Sequence, residues 1–252
     1  AMGLKGTDSA RDAADIVLAD DNFASIVAAV HEGRVVYDNL LKFILFVLPT
    51  HGGQALVVAA AIIFALALPL APAQVLWVNL VTSITLGLAL AFEPAQHDIM
   101  AQPPRARGGP LLTPFFIWRV VMVSVLMMTV ALGLFLWELS EGTRVEVART
   151  MAVNAVVVAE MLYLINSRFI AAPALNWNGL TGNPYVLFAM ATCVALQLAY
   201  TYSATMQTVF DSAPLTIAEW GKVCGAGAMV FAVAELEKWA IRWTHAARAR
   251  SH

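Results

Sequence analysis

Six long, charge-poor apolar runs dominate this chain, at roughly residues 40–68, 72–92, 114–137, 147–165, 184–204 and 217–240. Wound as α-helix at about 1.5 Å per residue, a run of about 20 residues matches a bilayer hydrocarbon core about 30 Å thick. Inside that core every backbone N–H and C=O needs a partner, and a helix provides one internally. The expected fold is therefore an all-α polytopic membrane helix bundle of about six transmembrane helices. The composition agrees, with 60% apolar and 13% charged residues against about half and about a quarter in soluble domains. A net charge of -2 and the lack of a basic, aromatic-interleaved stripe argue against nucleic acid as a partner. Membrane lipid is the expected surrounding. Cys193 and Cys224 both fall inside apolar runs, so neither a structural disulfide nor a metal-type cysteine pair is expected.

Residues 1–44 have soluble character. Thr7 or Asp8 can cap a short helix through Ala14, since a side-chain oxygen there accepts otherwise unpaired N–H groups. Ile16–Leu18 reads as a short strand, and a second helix is predicted over about Phe23–Gly33, with Phe23, Ile26, Val27 and Val30 on one face. This short N-terminal α/β remnant has too little apolar surface to fold by itself. The opening lacks a signal peptide's charged and apolar regions and reads as part of something larger.

Lysine and arginine predict the orientation. With the lead-in cytoplasmic and six spans, that side receives twelve basic residues and the other only Arg144, Arg149 and Lys222, out of 15 in all. This is a positive-inside bias, and it places both termini in the cytoplasm. Trp137, Trp177, Trp220, Trp239 and Trp243 fall near the expected interfaces, where an aromatic belt accounts for them. Glu235 and Glu237 read as surface groups near a helix end, and Glu138, Glu141, Glu146 and Asp211 as solvated.

Polar groups at membrane depth carry the functional signal. The first span holds Pro49-Thr50-His51-Gly52-Gly53-Gln54, where proline and glycines predict a kink and put His51 and Gln54 on one face. Asn79, Thr82 and Ser83 share a face of the second span, and Glu160 is the acidic residue near the middle of the fourth. Such groups face one another rather than lipid, and a buried carboxylate needs a cation, a proton or a donor. Oxygen donors of these types suit hard cations. Asn, Thr and Ser also act as ordinary interhelical glue, and His51 as a packing residue, so the residues alone leave both readings open.

The run AMGLKGTDSARDAADIVLADDNFASIVAAVHEGRVVYDNLLKFI (residues 1–44) resembles the stretch of P-type cation-transporting ATPases that follows their GDGxND loop. LWVNLVTSITLGLALAFEP (76–94) resembles their sixth transmembrane helix. PPRARGGPLLT (103–113), AEMLYLINSR (159–168), Asn183-Pro184 and LTIAEWGKV (215–223) are similar to their C-terminal helices. The likeness is to type II, calcium-pump-like members. It implies that residues 1–30 form the tail of the phosphorylation domain and 31–44 the stalk. Residues 45–252 would form the C-terminal membrane domain, transmembrane helices 5 to 10.

The resemblance also implies a metal site. His51 and Gln54 take the places of an Asn and a Glu on helix 5. Asn79, Thr82 and Ser83 take those of Asn, Thr and Asp on helix 6, and Glu160 matches a Glu on helix 8. Two carboxylates are thus replaced by neutral groups. The implied cargo is Ca²⁺ or Mn²⁺, with a monovalent ion (Na⁺ or K⁺) or proton coupling through His51 as the alternative. No DKTGT, TGES-type, KGA-type or GDGxND motif occurs in the chain. ATP and Mg²⁺ chemistry is accordingly expected only in a full-length parent, with this chain inactive alone. The expected partners are the actuator, nucleotide-binding and phosphorylation regions with helices 1 to 4, and the expected location is a bacterial plasma membrane. A non-catalytic membrane scaffold derived from a pump is the competing reading.

Overall fold

The computed structural model describes residues 1–95, 99–101, 103, 113–169, 174 and 182–250, with side chains as far as 244. Much of the 103–113 motif, Trp177 and the C-terminal arginines Arg248 and Arg250 therefore lie outside the described residues or side chains.

The lead-in holds one short helix, α1 (Asp8–Asp12), capped by Thr7 Oγ1, which accepts the Ala10 N–H at 3.3 Å. The predicted strand at Ile16–Leu18 is corrected: only a single parallel bridge joins Leu18 to Met2. A strand needs a sheet, and here the neighbouring backbone is limited to Ala1–Gly3, with Leu18 N–H donating to Ala1 O at 2.8 Å and Gly3 N–H to Leu18 O at 2.7 Å. The Asp20–Ser25 turn is held by Ser25 Oγ donating to Asp20 at 2.6 Å. That bond holds the Asp20 carboxyl below its ordinary pKa.

The second helix predicted over Phe23–Gly33 and the first span are one element. α2 (Ala24–Ile63) runs 40 residues through Pro49, about 60 Å at 1.5 Å per residue. This is about twice the hydrocarbon thickness, so the helix is longer than one bilayer crossing needs. No breaker stands between Gly33 and Asn39, and extending an existing helix is cheap once nucleated. The helix stops at Ile63, short of the expected 68. Ala65 takes a left-handed φ of 51° and Leu66 N–H reaches back to Ala61 O at 2.8 Å, a Schellman-type stop.

Next come α3 (Pro72–Thr82), which continues as a π-helical turn over Ser83–Gly87 and a 3₁₀ turn over Leu90–Phe92, then α4 (Pro114–Ser140) and α5 (Val145–Ser167). α6 (Pro184–Tyr202), the short α7 (Ala204–Phe210) and α8 (Ile217–Arg250) complete the order. The starts follow from local chemistry. Thr113 and Asn183 cap α4 and α6 directly before a proline at the first helical position. Thr216 and Glu219 form a capping box for α8, with Glu219 accepting the Thr216 N–H at 2.6 Å. Among the described residues six helical stretches are long and apolar enough to cross a membrane.

α5 is the hub. Of its most apolar window 89% is buried, against 22–44% in the other five. Its small residues, such as Ala148, Ala152, Ala155 and Ala159, let α4 and α8 pack closely on it. α2 lies along α4, where a side chain on Gly53 would meet Met127 Cβ at 2.7 Å. Large apolar side chains on the outside of the bundle, including Ile62, Leu76, Phe188 and Leu236, are exposed. That is the inverse of a soluble protein and suits a lipid surrounding.

Candidate functional site

Pro49 has no N–H, so α2 loses the hydrogen bond to the Leu45 carbonyl one turn back. The bundle repairs it from outside, because Tyr163 of α5 donates its hydroxyl to Leu45 O at 3.1 Å. Ser124 of α4 donates to Pro49 O at 3.0 Å. The helix therefore passes through Pro49 without a break, held against α4 and α5, and the next turn presents His51 and Gln54 inward.

Those two side chains reach different helices. Gln54 Nε2 donates to Glu160 Oε1 of α5 at 2.8 Å, with both side chains buried. His51 Nε2 lies 3.2 Å from Ser83 Oγ, at the start of the π-helical turn of α3. Thr82, one residue earlier, faces the Glu160 carboxyl, but its proton is committed to Val78 O at 2.9 Å. Thr85 makes the same backward bond to Val81 O at 2.6 Å. Hydroxyls turned onto the preceding carbonyls accompany the widened turn, a distortion that recurs at functional positions. Asn79 completes the group and, with His51 and Gln54, lines a cavity of about 460 Å³ between α2 and α3. All six residues singled out from the sequence thus converge where α2, α3 and α5 meet.

Three oxygens in this region have no hydrogen-bond partner although buried: Gln54 Oε1, Asn79 Oδ1 and Glu160 Oε2. The Gln54 amide orientation is forced, since its NH₂ group must face the carboxylate. Buried acceptors are normally satisfied, so these three oxygens, on side chains of three helices, are acceptors left open in this region. Among the described residues no lysine or arginine forms an ion pair with Glu160. Cys193 of α6, also buried, lies against Thr85 and within electrostatic reach of Glu160. Sequence alone ties neither Cys193 nor Thr85 to this site, because the helices that bring them to it are not adjacent in the chain.

Other acidic residues depart from their expected roles. Glu138 is buried rather than solvated, taking Lys222 Nζ at 2.6 Å and Thr143 Oγ1 at 3.0 Å. Glu237 is no surface group either; it accepts from buried Arg119 at 2.5 Å. Glu235 accepts from Asn166 at 2.6 Å and from Lys238 at 3.2 Å. Lys222, Arg119 and Asn166 come from other helices, which sequence spacing cannot locate.

A six-span bundle with a proline inside one membrane helix, a π-helical turn in another and unpaired buried oxygens between them defines the chain as an integral membrane protein with a polar site in its interior. Residues 67–240 match the family model described as "Cation transporting ATPase, C-terminus", and the chain belongs to that family, as the C-terminal region of a P-type cation-transporting ATPase. It is 46% identical over 224 residues to "Probable cation-transporting ATPase F" of Mycobacterium tuberculosis, covering 88% of this chain and 24% of that protein. It is 38% identical to "Cation-transporting ATPase pma1" of Synechocystis (87% and 25%). It is also 32% identical to "Calcium-transporting ATPase" of Bacillus subtilis (90% and 26%). The chain spans about a quarter of the length of these curated relatives.

Proposed function

We propose that this chain is the cation-coordinating membrane part of an ATP-driven pump, with His51, Gln54, Asn79, Thr82, Ser83 and Glu160 in or beside the ion path. The supporting observation is the set of unpaired buried oxygens on Gln54, Asn79 and Glu160. One carboxylate and neutral oxygens suit a hard cation. On this reading Ca²⁺ or Mn²⁺ is the cargo, in line with the calcium ATPase named among the relatives. Ca²⁺ takes six to eight oxygens, so the remaining ligands come from water and from a further helix seated over the cavity lined by His51, Gln54 and Asn79. In the proposed division, residues 1–30 belong to the phosphorylation domain, 31–44 to the stalk and 45–252 to the membrane domain. ATP and Mg²⁺ are handled by the actuator, nucleotide-binding and phosphorylation regions of the whole pump. The membrane is a bacterial plasma membrane, with both ends of this chain in the cytoplasm.

A monovalent cation, or a proton carried by His51, is the second reading, favoured by the charge at the site. Gln54 and Ser83 are neutral, leaving Glu160 as the single carboxylate of the six. Ion-stimulated ATPase activity of the full-length pump, measured across Ca²⁺, Mn²⁺, Na⁺ and K⁺, separates the two. Glu160→Gln removes the one charge and is expected to shift the half-activating concentration of the transported ion at least tenfold. An unchanged ion dependence removes Glu160 from the site.

A further inference from the structure

Three side-chain hydroxyls gather on the turn of α2 that ends at Pro49. Tyr163 of α5 donates to Leu45 O at 3.1 Å, Thr50 turns back onto Val47 O at 3.0 Å, and Ser124 of α4 donates to Pro49 O at 3.0 Å. The first stands in for the donor that proline lacks. The last replaces nothing. Pro49 O is the acceptor that an α-helix pairs with the Gly53 N–H, and its second lone pair is free to take the Ser124 hydroxyl. A bond that the helix does not need for its own continuity calls for another reason.

Gly52 and Gly53 make room for it. A Cβ on Gly52 would stand inside the contact distance of Ser124 Oγ and 3.2 Å from Ser124 Cβ. One on Gly53 would meet Met127 Cβ at 2.7 Å and Ser124 O at 3.3 Å. α2 and α4 thus interlock at one register, with the buried Ser124 side chain seated in the notch that the glycines leave. His51 and Gln54 flank these glycines in the chain. Their side chains leave α2 toward other helices, His51 to Ser83 at 3.2 Å and Gln54 to Glu160 at 2.8 Å. A shift or rotation of α2 at the notch would move both at once.

We infer that Ser124 is a positioning residue for the cation site: by holding the Pro49 carbonyl and filling the notch beside Gly52, it sets where α2 places His51 and Gln54. The inference rests on the proposed ion path through those two residues. Ser124 gives its proton to Pro49 O and belongs to α4, whereas the residues of the path stand on α2, α3 and α5. Its effect therefore passes through the α2 backbone. Groups that orient the ligands of a metal are typically worth about 10- to 100-fold in affinity.

ATPase activity of the full-length pump, titrated with Ca²⁺, Mn²⁺, Na⁺ and K⁺ in turn, tests this. For the ion that activates the wild type, Ser124→Ala is expected to raise the half-activating concentration about tenfold, with the rate at saturating ion held within about twofold. A serine that only packs would lower the thermal unfolding midpoint and leave half-activation unchanged. That result, with Glu160→Gln still shifting half-activation, overturns this proposal alone. If neither variant shifts it, the ion-path reading fails and this inference with it. Gly52→Ala is an independent check, since its methyl drives into Ser124 Oγ. It should impair half-activation or folding more than Ser124→Ala does, and adding Ser124→Ala should recover part of the loss by removing that oxygen. Additive effects, or a double variant worse than Gly52→Ala, would overturn the interlock on which the proposal stands.

Discussion

At the scale of single residues, the site depends on repairs to backbone defects. Pro49 strips the Leu45 carbonyl of its helical donor, and Tyr163 replaces it from α5 at 3.1 Å. Tyr163→Phe should therefore cost about 1 kcal/mol of stability, more if the carbonyl stays dry. Pro49→Ala restores the intrahelical donor, so the tyrosine should matter less in that background. A double-mutant cycle followed by thermal unfolding checks this, and strict additivity would show that the two residues do not share the carbonyl. The polar residues of the cluster were legible in the sequence because Asn, Gln, His and Glu at membrane depth are expensive and stand out. Tyr163, Ser124 and Cys193 were not, since each gains its meaning from a group more than 50 positions away.

Among elements, α2 shows how weakly sequence marks a helix end. Its more polar N-terminal part and its apolar part run together because nothing between them breaks the backbone ladder. Its far end depends on Ala65, an L-residue held at φ 51°, where a side chain costs about 1–2 kcal/mol relative to the right-handed region. Ala65→Gly should raise stability by about 1 kcal/mol, seen as an upward shift of the unfolding midpoint. A drop would mean that the Ala65 methyl packs usefully. α3 carries the opposite lesson. Its run Asn79–Gly87 reads as an ordinary amphipathic turn, yet Thr82 and Thr85 bond backward and the helix widens after Ser83. Side-chain hydrogen bonding, rather than the periodicity of apolar residues, sets that geometry.

Across the whole molecule, a buried ion pair ties helix ends together around Glu93. Arg168, after α5, places Nε 2.9 and 3.0 Å from the two oxygens of Glu93, just past α3. Asn183 at the start of α6 adds a bond to Glu93 at 2.8 Å, and Asn39 of α2 donates to the Glu93 backbone carbonyl at 2.8 Å. Arg168→Met strands a buried carboxylate and should destabilise the bundle by about 3–5 kcal/mol. Replacing both partners, with Glu93→Leu and Arg168→Met, should recover much of that loss in the same unfolding assay. A double variant as unstable as the single one would place the contribution in Arg168 packing instead.

Apolar run length and the rarity of charge within those runs determined the fold class, because a bilayer admits little besides long helices. They also marked which polar residues are costly enough to need a reason. Tertiary structure alone decided which helix is central, since α2, α4 and α5 all read as apolar spans and only packing buries α5 on nearly every side. It alone decided that Gln54 meets Glu160 while His51 meets Ser83. Helical periodicity states which residues share a face, and only the packing of whole helices states which faces meet.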